Sequence, residues 1–140
     1  MGVRLGFGTC NVGADPEPAL NGETRMRVQK ELMRGAGPVA VLGLLEVREM
    51  YGYELVEALS RETDGVLAMG QSTLYPLLYN LERKKLIHGS WEDAESGRRR
   101  KYYQLTKKGA RWLRAQEDQW KSLVAALNSL GILGSGPAKG

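Results

Sequence analysis

The sequence predicts a mainly α-helical protein with one small β-hairpin and a long C-terminal helix. Three observations predict this fold class. Leucines recur at helical spacing in the middle of the chain, two short strand-like segments flank a glycine-containing turn, and an amphipathic segment follows them. The 140 residues are enough for a single domain with its own hydrophobic core.

The composition excludes several classes of protein. No apolar run reaches the roughly 18 residues that a membrane-spanning helix needs, and the first residues do not resemble a secretory signal. One cysteine, Cys10, and one histidine, His88, cannot supply an internal disulfide or the usual ligands of a zinc site. We therefore predict a cytoplasmic protein that has no metal site and no cofactor and that is not an enzyme.

The two ends of the chain show little apolar periodicity. Residues 1–25 are predicted to be a disordered arm or a non-native leader, because Met26 opens a segment that looks like a natural start. Residues 131–140 are predicted to be a flexible tail. We expect the folded part to divide into a compact unit over 26–105 and a single helix over 106–130.

Two helices are predicted at the start of the folded part. The segment from Val39 to Val47 is nearly all apolar, and Pro38 is expected to open this helix because proline is well placed at a first helical position. Tyr51-Gly52 is expected to end it. The second helix is predicted from Tyr53 to about Arg61.

The third helix gives the clearest periodic signal. Leu74, Leu77, Leu78 and Leu81 fall at i, i+3, i+4 and i+7, which forms one apolar stripe. Ser72 or Thr73 is expected to cap the helix, and Pro76 is expected to lie in its first turn. The opposite face carries polar and aromatic side chains: Thr73, Tyr75, Tyr79, Asn80 and Arg83.

Two strands, 86–92 and 99–105, are predicted to flank a turn that contains Gly97. Thr106 is expected to cap a helix that runs to about Leu130. The order helix, helix, helix, strand, strand, helix is typical of a winged helix-turn-helix followed by one long helix.

The last helix carries an apolar seam. Leu113, Trp120 and Leu127 repeat every seven residues, Leu123 and Leu130 fall on the companion positions, and Gln116 is the polar exception. A second copy of the chain is the simplest partner for this seam, since most soluble oligomers are symmetric homodimers. The predicted dimerisation residues are Leu113, Trp120, Leu123, Leu127 and Leu130.

Positive charge is concentrated in the third helix and the hairpin. Residues 82–108 carry nine Lys or Arg and four Asp or Glu, an excess of five, against a net charge of +4 for the whole chain. Such a patch attracts a phosphate backbone, although a solvated hairpin tip is the alternative. The predicted contacts with double-stranded DNA are Ser72, Thr73, Tyr75, Tyr79, Asn80, Arg83, Lys84, Arg98, Arg99, Arg100 and Lys101.

Four segments in this order resemble the PadR family of transcriptional regulators. The resemblance covers about residues 32–113 and is carried by YGYEL at 51–55, STLYPLL at 72–78, LE at 81–82 and GRRRKYYQLT at 97–106. It implies a homodimeric winged helix-turn-helix repressor, associated with the nucleoid, that binds a pseudo-palindromic operator through its third helix and its wing. It further implies a recognition helix over 71–84, with the family's characteristic tyrosine at Tyr75 and its wing tyrosine at Tyr103.

The short last helix is similar to that of the smaller branch of the family, some of whose members bind flat aromatic compounds between the subunits. This similarity makes Gln116 and Trp120 candidate contacts for a small planar aromatic effector. The alternative for Trp120 is packing in the dimer core, and the alternative for Gln116 is control of the register of the paired helices. Two other functions stay open at this point. The protein could be a small-molecule-binding module with secondary or lost DNA binding, or a winged-helix module that binds another protein.

Overall fold

The computed structural model describes residues 28–134, which form a mostly helical fold around a small antiparallel sheet. The predicted fold class is therefore confirmed. The prediction for residues 1–25, and the part of the prediction for residues 131–140 that follows residue 134, lie outside the described residues. None of the helices within residues 28–134 is long and apolar enough to cross a membrane. The elements are α1 (Lys30–Val47), β1 (Met50–Tyr51), α2 (Gly52–Glu62), α3 (Gln71–Arg83), β2 (Ile87–Asp93), β3 (Arg99–Leu105) and α4 (Lys107–Ser129).

The first helix begins earlier than the sequence predicts. α1 is continuous from Lys30 and carries Pro38 in its interior, so the prediction that Pro38 opens the helix is wrong. An interior proline costs roughly 3 kcal/mol. The helix buries Val41, Leu42 and Leu45, and the burial of each such side chain contributes roughly 1.5–3 kcal/mol. Tertiary packing thus outweighs the local preference against the proline.

The start of α3 also differs from the prediction. Gly70 is the residue that precedes the helix, so Ser72 and Thr73 lie inside the first turn and neither is the cap. Pro76 is the sixth residue of the helix, so it lies in the second turn and not in the first as predicted. The apolar stripe is confirmed, because Leu74, Leu78 and Leu81 are buried and Leu77 packs against them.

The chain leaves α3 through a turn that reverses its direction. The amide of Leu86 donates to the carbonyl of Leu81 at 3.0 Å, and the amide of Lys85 donates to that of Glu82 at 2.9 Å. This is the hydrogen-bond pattern of a Schellman motif. Lys85 occupies the left-handed position of the motif, with φ at 66°, where glycine is usual. The turn places the start of β2 next to the end of α3.

The sheet has one strand more than the sequence predicts. β1 pairs with β3, in the register Met50 with Tyr103 and Tyr51 with Tyr102. The sheet order is therefore β1-β3-β2, with β3 in the centre. A strand of two residues is too short to show the alternation by which strands are predicted. We call the hairpin of β2, β3 and their connecting turn the wing.

A single core joins α1, α2, α3 and the base of the sheet. Its buried members are mostly leucines, with Met50 from β1 and Tyr103 from β3. Leu113 is 1% exposed and belongs to this core, so it fixes α4 to its own chain. The single chain thus already covers Leu113, whereas the sequence predicts this residue in the dimer seam.

The predicted cap of α4 is confirmed. The Thr106 hydroxyl accepts from the amide of Gly109 at 2.9 Å and donates to the carbonyl of Lys85 at 2.8 Å. Gly109 lies against the backbone carbonyl of Leu86, where a β-carbon would overlap the oxygen. The start of α4 is thus docked on the turn between α3 and the wing, and only glycine allows this approach.

We expect Gly109→Ala to lower the free energy of unfolding by about 1–3 kcal/mol, since a backbone carbonyl cannot move aside as a side chain can. Urea denaturation measures the change. Gly43→Ala is the matched control, because a β-carbon on Gly43 would meet open space among the described residues. That control should gain about 0.5–1 kcal/mol from helix propensity. Equal effects of the two substitutions would contradict the described docking of α4.

Candidate nucleic-acid interface

A groove of about 580 Å³ lies between the wing and the N-terminal ends of α2 and α3. Two kinds of side chain line most of it. The aromatic ones are Tyr51, Tyr53, Tyr75, Trp91 and Tyr103, and the cationic ones are Arg98, Arg99, Arg100 and Lys101. The groove therefore combines ring faces with positive charge, as surfaces that bind nucleic acid do.

The outward face of α3 borders this groove. All the polar and aromatic side chains that the sequence predicts on this helix are exposed, with Tyr75 43% and Tyr79 63% accessible. The structure thus brings together on one surface the predicted residues Ser72, Thr73, Tyr75, Tyr79, Asn80, Arg83 and Lys84. An α-helix with such a face fits the major groove of B-form DNA, which is about 12 Å wide.

Tyr75 is fixed by a close contact with the start of α2. Its hydroxyl lies against Gly52, and a β-carbon on that glycine would overlap the Tyr75 ring and hydroxyl. Gly52 is buried whereas Tyr75 is 43% exposed, so a β-carbon at residue 52 would push the Tyr75 ring out of this place toward solvent. The glycine therefore gives Tyr75 its place between α2 and the wing, at the edge of the groove.

Aromatic rings hold two of the wing arginines. The guanidinium of Arg100 lies 4.3 Å from the centre of the Tyr51 ring, and that of Arg99 lies 5.7 Å from the centre of the Trp91 ring. Arg99 also approaches Asp93, with 3.5 Å between nitrogen and oxygen. Stacking of this kind orients a guanidinium without neutralising its charge.

Lys101 differs from the neighbouring arginines. Its ammonium lies 3.0 Å from the Glu82 carboxylate at the end of α3, and both side chains are about one-third exposed, at 29% and 32%. The charge of Lys101 is thus directed into the protein. Lys101 was predicted to contact DNA together with the three arginines because the four residues are consecutive in the sequence.

Two groove tyrosines keep their protons well above neutral pH. Burial, with a contribution from the nearby Glu82 charge, raises the pKa of Tyr103 to about 12. A hydrogen bond to Glu57 and the charge of that carboxylate raise the pKa of Tyr53. Tyr53 is 49% exposed, so it presents a neutral hydroxyl at the groove.

Several groove residues were absent from the predicted contacts. Trp91 pairs across the hairpin with Lys101, so the alternation of the strand places both side chains on the face toward α3. That alternation was readable in the sequence and could have found Trp91. Tyr51 and Gln71 reach the groove only through β1 and the early start of α3, which the sequence did not predict.

The remaining predicted residues lie on α4. Gln116 and Trp120 are half-buried one turn apart on the same face, and Trp120 contacts the position of Gly35 on α1. Beyond Trp120 the apolar face is largely uncovered by the described residues. Leu123 is 47% exposed, Val124 is 44% exposed and Leu130 is 73% exposed, while Leu127 is half-buried.

Comparison with known proteins gives one consistent result. Residues 41–115 match the family described as "Transcriptional regulator PadR-like family". "Uncharacterized protein X" of Lysinibacillus sphaericus is 30% identical over 93 residues, which cover 66% of this chain and 85% of that protein. Transcriptional regulator YqjI of Escherichia coli strain K12 is 30% identical over 93 residues, which cover 66% of this chain and 43% of YqjI. The crystal structure of a PadR family transcriptional regulator from Eggerthella lenta is 36% identical, with a TM-score of 0.64 and coverage of 76% of this chain and 88% of that one.

We expect Gly52→Ala to destabilise the protein by about 1–3 kcal/mol, because the new methyl group would displace the Tyr75 ring. Alanine is otherwise preferred to glycine in a helix, so a loss of stability reports the overlap and not helix propensity. Urea denaturation of four proteins tests this: the wild type, each single variant and Gly52→Ala with Tyr75→Ala. In the Tyr75→Ala background the cost of Gly52→Ala should fall below about 0.5 kcal/mol. The same cost in both backgrounds would show that Tyr75 does not occupy this place.

Proposed function

The chain belongs to the PadR-like family of transcriptional regulators, not to a family of enzymes, and we propose that it is a homodimeric repressor that binds a pseudo-palindromic operator. In this proposal residues 26–105 bind DNA and residues 106–130 form the dimer. The protein acts in the cytoplasm, where it is associated with the nucleoid.

The observation that carries the proposal is the cationic and aromatic groove between α3 and the wing. With α3 in the major groove, one DNA backbone would run between this helix and the wing. Arg98, Arg99 and Arg100 would then meet phosphates. Guanidinium groups that are already oriented by ring stacking lose less entropy when they bind phosphate.

The uncovered apolar face of α4 supports the dimer. Leu123, Leu127 and Leu130 continue the line of Trp120 beyond the part of the helix that its own chain covers. A second copy related by a two-fold axis would bury both faces at once. Two α3 helices related by that axis would read two inverted half-sites, which is the reason for a pseudo-palindromic operator.

Release from the operator is assigned to a small planar aromatic effector. Gln116 and Trp120 offer a hydrogen-bonding group and a ring face at the edge of the proposed interface. An effector that bound one dimer arrangement more tightly than the other would shift the population toward that arrangement.

We expect the double variant Arg99→Ala/Arg100→Ala to weaken binding to operator and to random-sequence duplex alike, because phosphate contacts do not depend on sequence. The plot of log affinity against log salt concentration should become less steep by up to about two, near one for each lost contact. Fluorescence anisotropy at several salt concentrations measures both quantities. Arg111→Ala on α4, which removes a charge outside the groove lining, should leave the slope unchanged.

An unchanged slope in the double variant would overturn the assignment of the wing to phosphate. No binding of the wild type to any duplex in dilute buffer would overturn the DNA-binding function itself. A selection from genomic DNA fragments supplies the operator for the comparison.

We expect Leu123→Glu/Leu127→Glu to convert the dimer into monomers at micromolar concentration, because two buried charges in each subunit would face the apolar surface of the other. Sedimentation velocity measures the mass in solution. Ala125→Glu is the matched control, since Ala125 is exposed and lies about 200° around the helix from both leucines. The control should remain dimeric. A dimer that survives the leucine substitutions would show that α4 is not the interface.

A further inference from the structure

We propose that Glu82 and Lys101 form a strut between the recognition helix and the wing, and that Lys101 serves DNA binding by positioning the wing instead of by contacting phosphate. The inference rests on the proposed DNA-binding function. It assigns to the consecutive cations of the wing two different tasks: Arg98, Arg99 and Arg100 face the DNA, and Lys101 holds the surface that presents them.

The strut joins the end of α3 to the wing. Glu82 lies in the last turn of α3 and Lys101 lies in the middle of β3, and their charged groups are 3.0 Å apart. The ammonium is also 5.5 Å from the centre of the Tyr103 ring, which is 6% exposed. A carboxylate and a buried ring therefore both fix the lysine head.

The neighbouring strand leaves room for this lysine. Gly89 on β2 lies opposite Tyr103, and a β-carbon on Gly89 would overlap the ε-carbon of Lys101. The same β-carbon would approach a Glu82 carboxylate oxygen to 3.1 Å and the Tyr103 ring to 3.2 Å. A glycine inside a strand weakens the strand, and it marks a place where another group must come close.

The strut lies where it fixes the angle between α3 and the wing. The turn of Lys84–Leu86 fixes the base of the hairpin to α3, whereas the arginines lie at the opposite end of the strands. A small rotation at the base would move the arginines furthest. Operator binding requires α3 and the wing to meet DNA together, so it depends on this angle more than binding by the wing alone does.

Removal of the Glu82 charge distinguishes a Lys101 that positions the wing from a Lys101 that contacts phosphate. Glu82→Met frees the lysine and removes one negative charge, so simple attraction to DNA would make binding tighter. The strut predicts the opposite for the operator, about a tenfold loss of affinity. Glu62→Met on α2 removes an equal charge away from the wing and should not weaken binding.

Gly89→Ala and the exchanged pair complete the test. Gly89→Ala changes no charge, displaces the flexible end of Lys101 and crowds the Glu82 carboxylate and the Tyr103 ring, so it should lower operator affinity about as much as Glu82→Met. Glu82→Lys/Lys101→Glu restores an ion pair and should regain most of the affinity lost in Glu82→Lys. Tighter operator binding by Glu82→Met, or an exchanged pair no better than Glu82→Lys, would overturn the strut.

A measurement without DNA distinguishes the strut from the function it serves. Amide hydrogen exchange in β2 and β3 of the free protein should become several-fold faster in Glu82→Met and return toward the wild-type rate in the exchanged pair. Unchanged exchange rates in Glu82→Met would overturn the strut even if DNA binding were lost. Faster exchange in a protein whose wild type binds no duplex would support the strut and refute the DNA-binding function.

Discussion

The arrangement of the protein depends on one junction, where the end of α3, the base of the wing and the start of α4 meet. The amide of Thr106 donates to the carbonyl of Leu86 at 3.1 Å, while the Thr106 hydroxyl bonds to Lys85 and Gly109. These hydrogen bonds of Thr106 thus fix three elements at one point. Gly109 lets α4 approach closely enough for these bonds to form. A rotation of α4 would therefore carry α3 and the wing with it, which links the proposed dimer geometry to the spacing of the two DNA-reading surfaces.

The distribution of charge shows why a count of cations in a sequence overestimates the positive charge that is available to bind DNA. Arg100 rests on the Tyr51 ring, which orients the guanidinium and leaves its charge available, whereas Arg99 lies near both the Trp91 ring and the Asp93 carboxylate. Lys101 adjoins them in the sequence, yet its charge is matched by Glu82 from another element. The fold therefore uses part of the positive charge internally, and only the pairing across elements reveals which part.

Sequence reasoning succeeded where the signal lies in neighbouring residues and failed where contacts distant in the chain decide. The apolar stripe of α3, the bounds of Arg99–Leu105 and the cap at Thr106 follow from local spacing or from one side chain, and all three were found as predicted. Pro38 was misplaced because core packing overrides local preference, and β1 was missed because only pairing with β3 makes two residues a strand. The same division holds at the site. The exposed face of α3 could be predicted, whereas the pairing of Lys101 with α3 could not.

The apolar residues of α4 show most clearly that spacing in the sequence does not reveal which surface covers a helix face. Leu113, Trp120 and Leu127 repeat at one spacing, but the first is 1% exposed while Leu130 near the end of the line is 73% exposed. The spacing is identical along the line because it only states that one face is apolar, and it does not state which surface covers that face. The extent of α1 decides the matter, since the region of Gly35 still reaches Trp120. Trp120 thus lies where packing within one chain gives way to the apolar face that the described residues leave uncovered. A planar ligand beside it would touch both kinds of contact, and it would alter the proposed dimer only as far as it bound one arrangement better than the other.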